Sequence, residues 1–489
     1  PLLLGRRDWS TLTELAGEFP AEAYCRADLG QVDCVEKVTA FLAAQGIQRV
    51  DLVIHNAGAG FYGRPETQSA DSIDQLINVN LVAPIVLTKA LRPYLPDGSG
   101  QVVFVSSVAA DLPAPDYAVY VATKAALDDF ARNLRTEWGD KFVVQSIHPG
   151  ATRTGMHGKM GISAETLNTD KFPPAATVAA QIAQAIAQKR ASPTVGVNNK
   201  VLGFVGRNLG WAIDPLMRRG QAKYVGAFRR TASERKRCVI TGAADGIGRA
   251  LAQRYAAAGY QVIGIDVDAA RAEQVAAELE NVSFVIGDLS SAEDLQKIIA
   301  ALSYDRPIDV LIHNAGISAV GRFDKVPIAK QQKVIDINLR APLRLTAGLL
   351  ATSALRSDAS LVFISSLSKQ LGYPGAAVYA ATKAGLAAYA RSLRAAFGGQ
   401  KHVLTVYPGP TRTAHARRYS PDNSREGKRM TPEKLADLIF GAVKKRRSEL
   451  IPSAGNRVAA IVGHVAPRLV DAGMKKVMLD GLDDRVLVE

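Results

Sequence analysis

The sequence predicts the α/β fold class, with two doubly wound parallel-sheet domains in tandem. Three observations support this prediction: an internal repeat as long as a domain, short apolar runs that alternate with helical patterns, and a chain of 489 residues. At roughly 100–200 residues per domain, that length allows two or three domains, each large enough to bury a full core.

The repeat consists of matching segments that recur 258 or 259 residues apart. LVIHNAGAG at 52–60 returns as VLIHNAGIS at 310–318, and YVATKAAL at 120–127 returns as YAATKAGL at 379–386. Three further pairs keep the same order: NVNLVAP at 78–84 with DINLRAP at 336–342, VVFVSSVA at 102–109 with LVFISSLS at 361–368, and HPGATRT at 148–154 with YPGPTRT at 407–413. This period is much longer than that of a solenoid repeat, so each copy is expected to be an entire domain.

Short apolar runs in the second copy are too continuous for a sheet with one face in water, so they predict buried strands. These strands are predicted at 239–241, 262–266, 284–287, 310–313, 361–365 and 403–407. Helices are predicted between them, for example at 250–258 and 380–397. Strands that alternate with helices predict βαβ units with right-handed crossovers, which build a parallel doubly wound sheet.

The boundary between the copies is predicted in the charged stretch 229–236, just before the apolar run CVI. We therefore divide the chain into a first copy, residues 1–232, and a second copy, residues 233–489. The second copy opens with a strand, a Gly-rich turn and a helix, whereas the first opens at PLLLGRRDW, which matches only the end of that stretch. Roughly 25–30 residues are thus expected to be missing from the first copy, which would make this chain a shortened version of a longer protein.

Composition excludes several classes of protein. With 47% hydrophobic and 22% charged residues, the chain is not expected to be disordered, collagen-like or a coiled coil. Three cysteines cannot form a disulfide framework, and none has the spacing of a metal site, so a cytoplasmic location without a bound metal is expected. No run of about 18 apolar residues predicts a spanning helix. The net charge of +14 suits an acidic partner, but no nucleic-acid-binding module accompanies it, so nucleic acid is not expected to bind.

A Gly-rich turn in the second copy predicts a phosphate-binding loop. Residues 241–248 (TGAADGIG) follow a predicted strand and open a helix. Gly242 would form the tight turn, and Gly246 and Gly248 would let the backbone approach a pyrophosphate at the helix N-terminus, where N–H groups favour anions. The alternative is an ordinary strand-to-helix turn.

The residue that ends the next strand predicts which dinucleotide binds. Asp266 lies about 20 residues after the turn, where a carboxylate binds the 2′-hydroxyl of an adenosine ribose and repels a 2′-phosphate, so the second copy is expected to prefer NAD. The first copy has Gly5-Arg6-Arg7 at the matching place, and an arginine there suits the 2′-phosphate of NADP. The alternative for Arg6 and Arg7 is a solvated loop.

A constellation of serine, tyrosine and lysine predicts acid–base chemistry. Ser107, Tyr120 and Lys124 recur as Ser366, Tyr379 and Lys383 with the same intervals of 13 and 4 residues. A tyrosine and a lysine four residues apart share one helix face. A tyrosine with a pKa of about 10 is a poor acid–base catalyst near neutrality, and an adjacent ammonium is expected to lower that pKa. The alternative, a chance pair on a helix surface, is not expected to recur in both copies after a strand that ends in Ser-Ser.

Together these motifs resemble the short-chain dehydrogenase/reductase family, twice and over almost the whole chain. The resemblance implies a Rossmann-like fold and an NAD(P)-dependent oxidoreductase that interconverts a ketone and a secondary alcohol by hydride transfer. It implies as catalytic residues Asn80, Ser107, Tyr120 and Lys124 in the first copy, and Asn338, Ser366, Tyr379 and Lys383 in the second. In these roles the asparagine holds a proton-relay water, the serine positions the carbonyl, the tyrosine is the acid or base, and the lysine binds the nicotinamide ribose and tunes the tyrosine.

The resemblance further implies the cofactor-binding residues. In the second copy these are Gly242, Asp245, Gly246, Ile247, Gly248, Asp266, Asp288, Leu289, Asn314, Ala315, Gly316, Tyr379, Lys383, Pro408, Gly409, Thr411 and Thr413. In the first copy they are Arg6, Asp28, Leu29, Asn56, Ala57, Gly58, Tyr120, Lys124, Pro149, Gly150 and Thr152, with Thr154 beside them. Because the glycine loop is missing from the first copy, its cofactor binding and turnover are open. His55 and His313 stand where the family commonly has another asparagine, and they are expected to be packed structural residues because each follows an apolar strand.

The tail of each copy bears on the substrate. Residues 199–219 and 457–477 place apolar residues at helical spacing with lysine or arginine at the margins. This pattern predicts either an interfacial helix that lies on a membrane and receives a lipophilic ketone, or a lid or helix–helix interface within the protein. The cluster KKRR at 444–447 is expected to be a solvated helix end, with anionic-lipid contact as the alternative.

Three functions are open on the sequence alone. The tails resemble those of membrane-associated reductases of long-chain acyl or sphingoid ketones, which favours a lipophilic substrate and peripheral contact with the inner membrane surface. A soluble 3-oxoacyl-thioester reductase is the first alternative, and a non-catalytic copy that serves as scaffold or cofactor sensor for the other is the second. In each case the copies are expected to pair through helices beside the active sites as an internal pseudo-dimer, with further homo-oligomers open.

Overall fold

The computed structural model describes residues 1–160, 171–208, 235–304, 307–420, 422–424, 426–482 and 485–488, in which parallel sheets are packed with helices. The strands are β1 (Leu3–Gly5), β2 (Tyr24–Arg26), β3 (Leu52–His55), β4 (Gln101–Val105), β5 (Val143–Ile147), β6 (Arg237–Thr241), β7 (Gln261–Asp266), β8 (Val282–Ile286), β9 (Ile308–His313), β10 (Leu355–Ile364), β11 (His402–Val406) and β12 (Glu449–Leu450). The helices of the first copy are α1 (Thr13–Ala16), α2 (Cys34–Ala44), α3 (Ala70–Ile77), α4 (Ala83–Leu91), α5 (Ala118–Trp138), α6 (Met156–Lys159), α7 (Ala175–Ala187) and α8 (Val197–Asn208). Those of the second copy are α9 (Gly246–Ala257), α10 (Ala269–Glu278), α11 (Ala292–Tyr304), α12 (Ile328–Ile335), α13 (Ala341–Ala351), α14 (Ser368–Leu371), α15 (Ala377–Ala396), α16 (Ala414–Arg418), α17 (Pro432–Lys444), α18 (Ala454–Val465) and α19 (Pro467–Met474). π-helical turns follow α3 at Asn78–Val82, α12 at Asp336–Arg340 and α19 at Lys475–Leu479.

The second copy contains a seven-stranded parallel sheet in the order β12-β11-β10-β9-β6-β7-β8. Cys238 of β6 pairs with Val310 of β9 on one side and with Val262 of β7 on the other. The strand order reverses at β6, so the loops at the carboxyl ends of β6 and β9 diverge and leave a crevice between them. All six strands predicted for this copy are present. Of these, β10 begins earlier than predicted, because Leu355 pairs with Ile308 ahead of a register shift.

The sheet of the first copy is described in two parts, β1–β2 and β3–β4–β5. By the repeat, β3 and β1 correspond to β9 and β7, which β6 joins in the second copy. Within the described residues no strand of the first copy takes the place of β6. Ile54 of β3 is accordingly 46% exposed, whereas its counterpart Ile312 is fully buried.

The two copies meet through their longest helices, α5 and α15, which lie side by side. Gly385 of α15 faces α5 so closely that an added Cβ atom would lie 2.8 Å from the backbone O of Ala122 and 3.1 Å from the Cβ of Ala126. Arg340 of the second copy also forms a salt bridge with Asp74 of the first at 3.0 Å. The glycine therefore allows the two helix backbones to approach each other at this crossing.

Gly385→Ala is expected to lower the free energy of unfolding by up to about 2 kcal/mol. Overpacking costs about 1–3 kcal/mol and is offset only in part by the gain of about 1 kcal/mol in helix propensity, because the added Cβ meets backbone that cannot give way as a side chain does. Denaturant unfolding of the full chain measures the change. The control is Gly441→Ala in α17, where nothing lies within 4 Å of the added Cβ, and which is expected to stabilise the chain. Equal stabilisation by both substitutions would contradict a tight crossing at Gly385.

Candidate active site

The serine, tyrosine and lysine of the second copy meet at the carboxyl end of β10. Ser366 follows this strand, and Tyr379 and Lys383 lie one turn apart on α15. The Lys383 Nζ donates to the backbone O of Ile364 at 3.0 Å and lies 5.8 Å from the centre of the Tyr379 ring. The Ser366 hydroxyl is hydrogen-bonded to Tyr379 and accepts from the backbone N of Ser368 at 3.1 Å. The structure thus brings the three predicted side chains together.

The first copy repeats this arrangement at the carboxyl end of β4. The Lys124 Nζ donates to the backbone O of Val105 at 3.0 Å and lies 5.9 Å from the centre of the Tyr120 ring. The Ser107 hydroxyl is hydrogen-bonded to Tyr120 and accepts from the backbone N of Ala109 at 3.1 Å. Both copies therefore have the same arrangement of serine, tyrosine and lysine.

An asparagine in a π-helical turn supports each set. Asn338 is fully buried, and its side-chain amide bonds to the backbone N and O of Ile317 at 2.9 and 2.8 Å. Asn80 makes the same two bonds to Ala59 at 2.8 and 2.9 Å. π-helical turns of this kind are frequent at functional sites. Each asparagine thus fixes the segment that follows the Asn-Ala-Gly motif of its copy.

Burial sets the protonation of these groups. Removal from water raises the pKa of Tyr379 and Tyr120, although the hydrogen bond with the neighbouring serine opposes the shift. The same loss of hydration lowers the pKa of Lys383 and Lys124 to about 8. The expectation that the lysine would lower the tyrosine pKa is therefore wrong for this structure, because an ammonium 5.8 Å from the ring does not offset the burial of the phenol.

The glycine loop of the second copy fits a dinucleotide pyrophosphate. Gly242 and Gly246 have φ angles of 65° and 52°, in the left-handed region that favours glycine. A Cβ atom on Gly248 would lie 1.8 Å from the backbone O of Gly242, so a side chain there would close the turn. Asp245 at the N-cap of α9 makes no side-chain capping bond, which leaves the first-turn N–H groups to an anion. The Asn314 amide donates to the backbone O of Gly242 at 3.0 Å and holds the loop against β9.

Asp266 lies beside this loop, where the sequence predicts it. Its carboxylate accepts from the backbone N of Ala244 at 2.9 Å and of Val267 at 2.9 Å. The guanidinium of Arg271, a residue not predicted from the sequence, forms a salt bridge with Asp245 of the loop at 3.1 Å. No motif marks Arg271, because it reaches the loop only through the packing of α10 against β7.

The remaining predicted cofactor residues of the second copy line the same crevice or pack beneath it. A Cβ atom on Gly316 would lie 3.1 Å from Asn338 Oδ1 and 3.2 Å from Lys383 Nζ, so the bare backbone leaves room above both groups. Burial alone would raise the pKa of Asp288, but hydrogen bonds from Ser290 hold it below its ordinary value. Ala315 donates its backbone N–H to Thr241 Oγ1 at 3.0 Å, and Leu289 and Ile247 pack against the core.

The first copy brings together only part of its predicted cofactor residues. Asp28 accepts from the backbone N of Gly30 at 2.9 Å, and Leu29 packs against the core. A Cβ atom on Gly58 would lie 3.5 Å from Asn80 Oδ1 and 3.6 Å from Lys124 Nζ. Asn56, Ala57 and Arg6 are exposed. Within the described part of the first copy no glycine loop lies beside Arg6, so these residues do not form a complete dinucleotide cradle.

The Pro-Gly turns contact the segments after Ser366 and Ser107. The backbone O of Pro408 accepts from Leu367 at 3.1 Å, and that of Pro149 accepts from Val108 at 3.0 Å. The threonines shape the turns: Thr411 and Thr152 donate to the backbone O of Gly409 and Gly150, Thr413 accepts from the backbone N of Ala416, and Thr154 accepts from that of Met156.

Two asparagines on the tail helices, which were not among the predicted site residues, contact the Pro-Gly turns. A Cβ atom on Gly409 would lie 2.6 Å from Asn456 Nδ2, and one on Gly150 would lie 2.2 Å from Asn199 Oδ1. Each asparagine therefore rests on the bare turn of its own copy. An asparagine recurs near the start of each tail helix, and this repetition is the sequence feature from which these contacts could have been predicted.

Both histidines are packed, as predicted. The Nε2 atom of His313 bonds to Thr346 Oγ1 at 2.8 Å, and its ring stacks on Phe363. His55 bonds to Thr88 Oγ1 at 2.9 Å in the same way. Burial lowers the pKa of His55 to about 4 and of His313 to about 3, so neither carries a charge near neutral pH.

The described parts of the tails form amphipathic helices, α8 in the first copy and α18 and α19 in the second. We call their exposed apolar residues the tail face: Val201, Leu202 and Phe204 on α8, Val458, Ile461, Val462 and Val465 on α18, and Leu469 on α19. His464 of α18 bonds to Asn208 of α8 at 3.0 Å, which places the two tails next to each other. Residues 209–219 of the first tail, and most of the predicted boundary 229–236, lie outside the described residues. Residues 444–447 are exposed, as expected, and no described helix is long and apolar enough to cross a membrane.

A model of the short chain dehydrogenase family matches residues 3–164 and 236–424 of this chain. Serine 3-dehydrogenase of Rhizobium radiobacter is 34% identical over 179 residues, which cover 36% of this chain and 72% of that protein. Dehydrogenase/reductase SDR family member 7B of Xenopus laevis is 29% identical over 233 residues, which cover 44% of this chain and 72% of that protein.

Solved structures also resemble the chain. A short-chain dehydrogenase from Sphingobium yanoikuyae in complex with NADPH is 26% identical with a TM-score of 0.42, over 48% of this chain and 96% of that one. A 3-ketoacyl-(acyl-carrier-protein) reductase from Brucella melitensis complexed with NADH is 26% identical with a TM-score of 0.38, over 42% of this chain and 90% of that one.

Proposed function

This chain is an oxidoreductase that belongs to the short-chain dehydrogenase family, and we propose that its second copy interconverts a ketone and a secondary alcohol with a nicotinamide dinucleotide. One observation carries this proposal: Ser366, Tyr379 and Lys383 meet at the end of β10, and the glycine loop lies across the same crevice. The dinucleotide, when bound, supplies or accepts the hydride. The chain itself supplies orientation and proton transfer.

Each catalytic side chain has one task in this proposal. In the reductive direction the Tyr379 hydroxyl donates its proton to the carbonyl oxygen, and its raised pKa keeps that proton in place at neutral pH. Ser366 donates a second hydrogen bond to the same oxygen. Lys383 holds the nicotinamide ribose, and Asn338 positions a proton-relay water and the segment at Ile317. The first copy has the counterparts Asn80, Ser107, Tyr120 and Lys124.

We propose that the second copy binds NAD. We propose that the first copy binds NADP when the N-terminal segment that carries its glycine loop is present. The loop Gly242–Gly248, with Asp266, Asp288 and the Asn314 motif, would hold NAD. Arg6 would face the 2′-phosphate in the first copy, but in the described chain that copy lacks the loop that binds the pyrophosphate. A first copy that serves as a non-catalytic scaffold or cofactor sensor for the second is the alternative to turnover in both copies.

Residues 1–232 and 233–489 are proposed to form two domains that pair as an internal pseudo-dimer. The side-by-side packing of α5 and α15 supports this division, since both helices carry catalytic residues. A two-fold interface pairs the same surface patch of both partners, and α5 and α15 are counterparts in the repeat.

We propose a lipophilic ketone, of long-chain acyl or sphingoid type, as the substrate. The tail face supports this choice, because eight large apolar side chains are exposed there beside the Pro-Gly turns. Exposed Lys200, Arg457 and Arg468 flank it and suit an anionic membrane surface. The alternative is a soluble 3-oxoacyl-thioester reductase, in which the tail face would be covered by protein.

Binding to vesicles of phosphatidylglycerol separates these alternatives. The triple substitution Ile461→Ser, Val465→Ser and Leu469→Ser is expected to weaken co-sedimentation at least tenfold, since each buried methylene contributes about 0.8 kcal/mol. Val32→Ser, at an apolar residue 96% exposed elsewhere, is the control and should bind as the wild type does. A wild-type chain that stays in the supernatant would contradict membrane contact.

A substrate panel tests the proposed function itself. Ketones and secondary alcohols of increasing chain length are offered to the full chain with NADH or NADPH, and with the oxidised forms. We expect turnover with NADH that improves with chain length. Turnover confined to short thioesters would favour the alternative, and no turnover with either dinucleotide would contradict the proposal.

A further inference from the structure

Helix α5 of the first copy directs two polar side chains at backbone groups of the second copy. The buried Glu137 carboxylate accepts from the backbone N of Phe323 through Oε1 and from that of Gly375, at 3.4 Å, through Oε2. One turn earlier, Asn133 Oδ1 accepts from the backbone N of Tyr373 at 2.5 Å. The first copy therefore holds two separate loops of the second copy with one edge of one helix.

Those two loops form the wall beside the catalytic tyrosine of the second copy. The backbone N of Gly321 donates to the O of Gly375 at 2.7 Å, which joins the loops to each other. The Tyr373 ring packs edge-on against Tyr379 with centroids 6.0 Å apart. Val320, at the start of the first loop, belongs to the apolar cluster that packs against Tyr379. A shift of either loop would move the surface that a substrate meets next to the phenol.

The equivalent residues of α15 make weaker contacts with the loops of the first copy. By the repeat, Ser392 stands for Asn133, and its Oγ accepts from the backbone N of Ala114 at a longer 3.4 Å. Ala396 stands for Glu137 and offers no carboxylate at all. Because alanine suffices at this position of α15, the carboxylate of Glu137 is not needed for the helices to pack.

Burial of the Glu137 carboxylate is unfavourable for folding. Burial raises the pKa of Glu137 to about 7, while the amides of Phe323 and Gly375 favour the charged form and Asp324 and Arg322 act in opposite senses. Burying such a charge disfavours folding unless its hydrogen bonds are kept. A carboxylate is present at this position in the first copy and absent from the second. This difference is explained if the hydrogen bonds of Glu137 hold the two loops and are not required for the overall fold.

We infer that Glu137 of the first copy is a positioning residue for the catalytic site of the second, because it holds the loops at Phe323 and Gly375 that wall Tyr379. This inference rests on the proposed function of the second copy. It gives the first copy a defined role in catalysis even where that copy binds no dinucleotide.

Glu137→Gln in the full chain tests the inference. Glutamine keeps the size, but it offers one acceptor and turns an NH₂ group towards the second N–H donor. We expect kcat/KM of the second copy to fall about tenfold, as for a lost buried hydrogen bond, with NADH affinity unchanged. Hydrogen exchange of peptides covering 319–326 and 369–376 should accelerate by about the same factor. Glu137→Ala, which copies Ala396 of the other copy, should act in the same direction and guards against an effect peculiar to glutamine.

The control is Asp140→Asn. Asp140 pairs with Lys475 across the same interface, but it is 81% exposed and contacts neither loop, so exchange and turnover should not change. The inference is overturned if both Glu137 variants keep wild-type exchange in the two loops. It is also overturned if exchange accelerates throughout the chain and the melting temperature falls in parallel, since the role would then be general stability. A wild-type chain without turnover would refute the proposed function alone, and loop exchange would still decide the inference.

Discussion

Tyr379→Phe is expected to reduce turnover by at least about 10²–10⁴-fold, the contribution of general acid–base catalysis. The substitution removes only the hydroxyl that hydrogen-bonds to Ser366, and the ring keeps its edge-on contact with Tyr373. Since the glycine loop and Asp266 lie on the other side of the crevice, NADH affinity should stay close to that of the wild type. Steady-state turnover and NADH titration on the same preparation measure both quantities.

Two further tyrosines serve as controls for this loss. Tyr389 lies on the same helix, and its buried hydroxyl has no hydrogen-bond partner among the described residues, so Tyr389→Phe should leave turnover intact. Tyr120→Phe removes the counterpart hydroxyl in the first copy and should also leave turnover intact if the second copy does the chemistry. Near-normal turnover of Tyr379→Phe, or a loss on Tyr120→Phe instead, would contradict the assignment.

The parts of the site that were predictable are those that depend on local sequence. Tyr379 and Lys383 share a helix face at a spacing of four, and the serine follows a strand whose apolar run is continuous. The burial of Tyr379 and Tyr120 cannot be inferred from local sequence, so the predicted lowering of the tyrosine pKa is wrong. The pKa depends on how much protein surrounds the phenol, and no motif encodes that.

Contacts that depend on tertiary packing could not be predicted from the sequence for the same reason. Arg271 reaches Asp245 from the next helix, and Asn456 reaches Gly409 from the tail. Glu137 belongs to the first copy but binds loops of the second. The only sequence feature that indicates it is the difference between the copies, since Ala396 occupies the equivalent position in the second. The strand β12 was not predicted because two residues are too short to show a period.

A split cofactor preference is the second large effect expected. The Asp266 carboxylate offers hydrogen bonds to a ribose diol and repels a 2′-phosphate, and a charge-assisted contact of this kind contributes on the order of 1.5–3 kcal/mol, or roughly 10- to 150-fold in affinity. Titration of the full chain should therefore show an NADH site in the second copy, with NADPH bound there more weakly by that factor.

Asp266→Asn isolates the charge in this preference. Asparagine keeps one carbonyl oxygen for the backbone N–H groups of Val267 and Asp268, which Oδ1 of Asp266 accepts, and loses only the acceptor at Oδ2 for Ala244. The ratio of the two dissociation constants should fall towards one, and the NADH affinity itself, measured in the same titration, reports any shift of the loop. Asp268→Asn is the matched control, because that carboxylate lies two residues away and caps α10 through the backbone N of Arg271 at 3.0 Å. Its ratio should match the wild type, since a cap faces its own helix and not the ribose. Equal affinity of the wild type for both dinucleotides, or an unchanged ratio in Asp266→Asn, would show that Asp266 does not select the cofactor and that the salt bridge of Arg271 with Asp245 should be tested in its place.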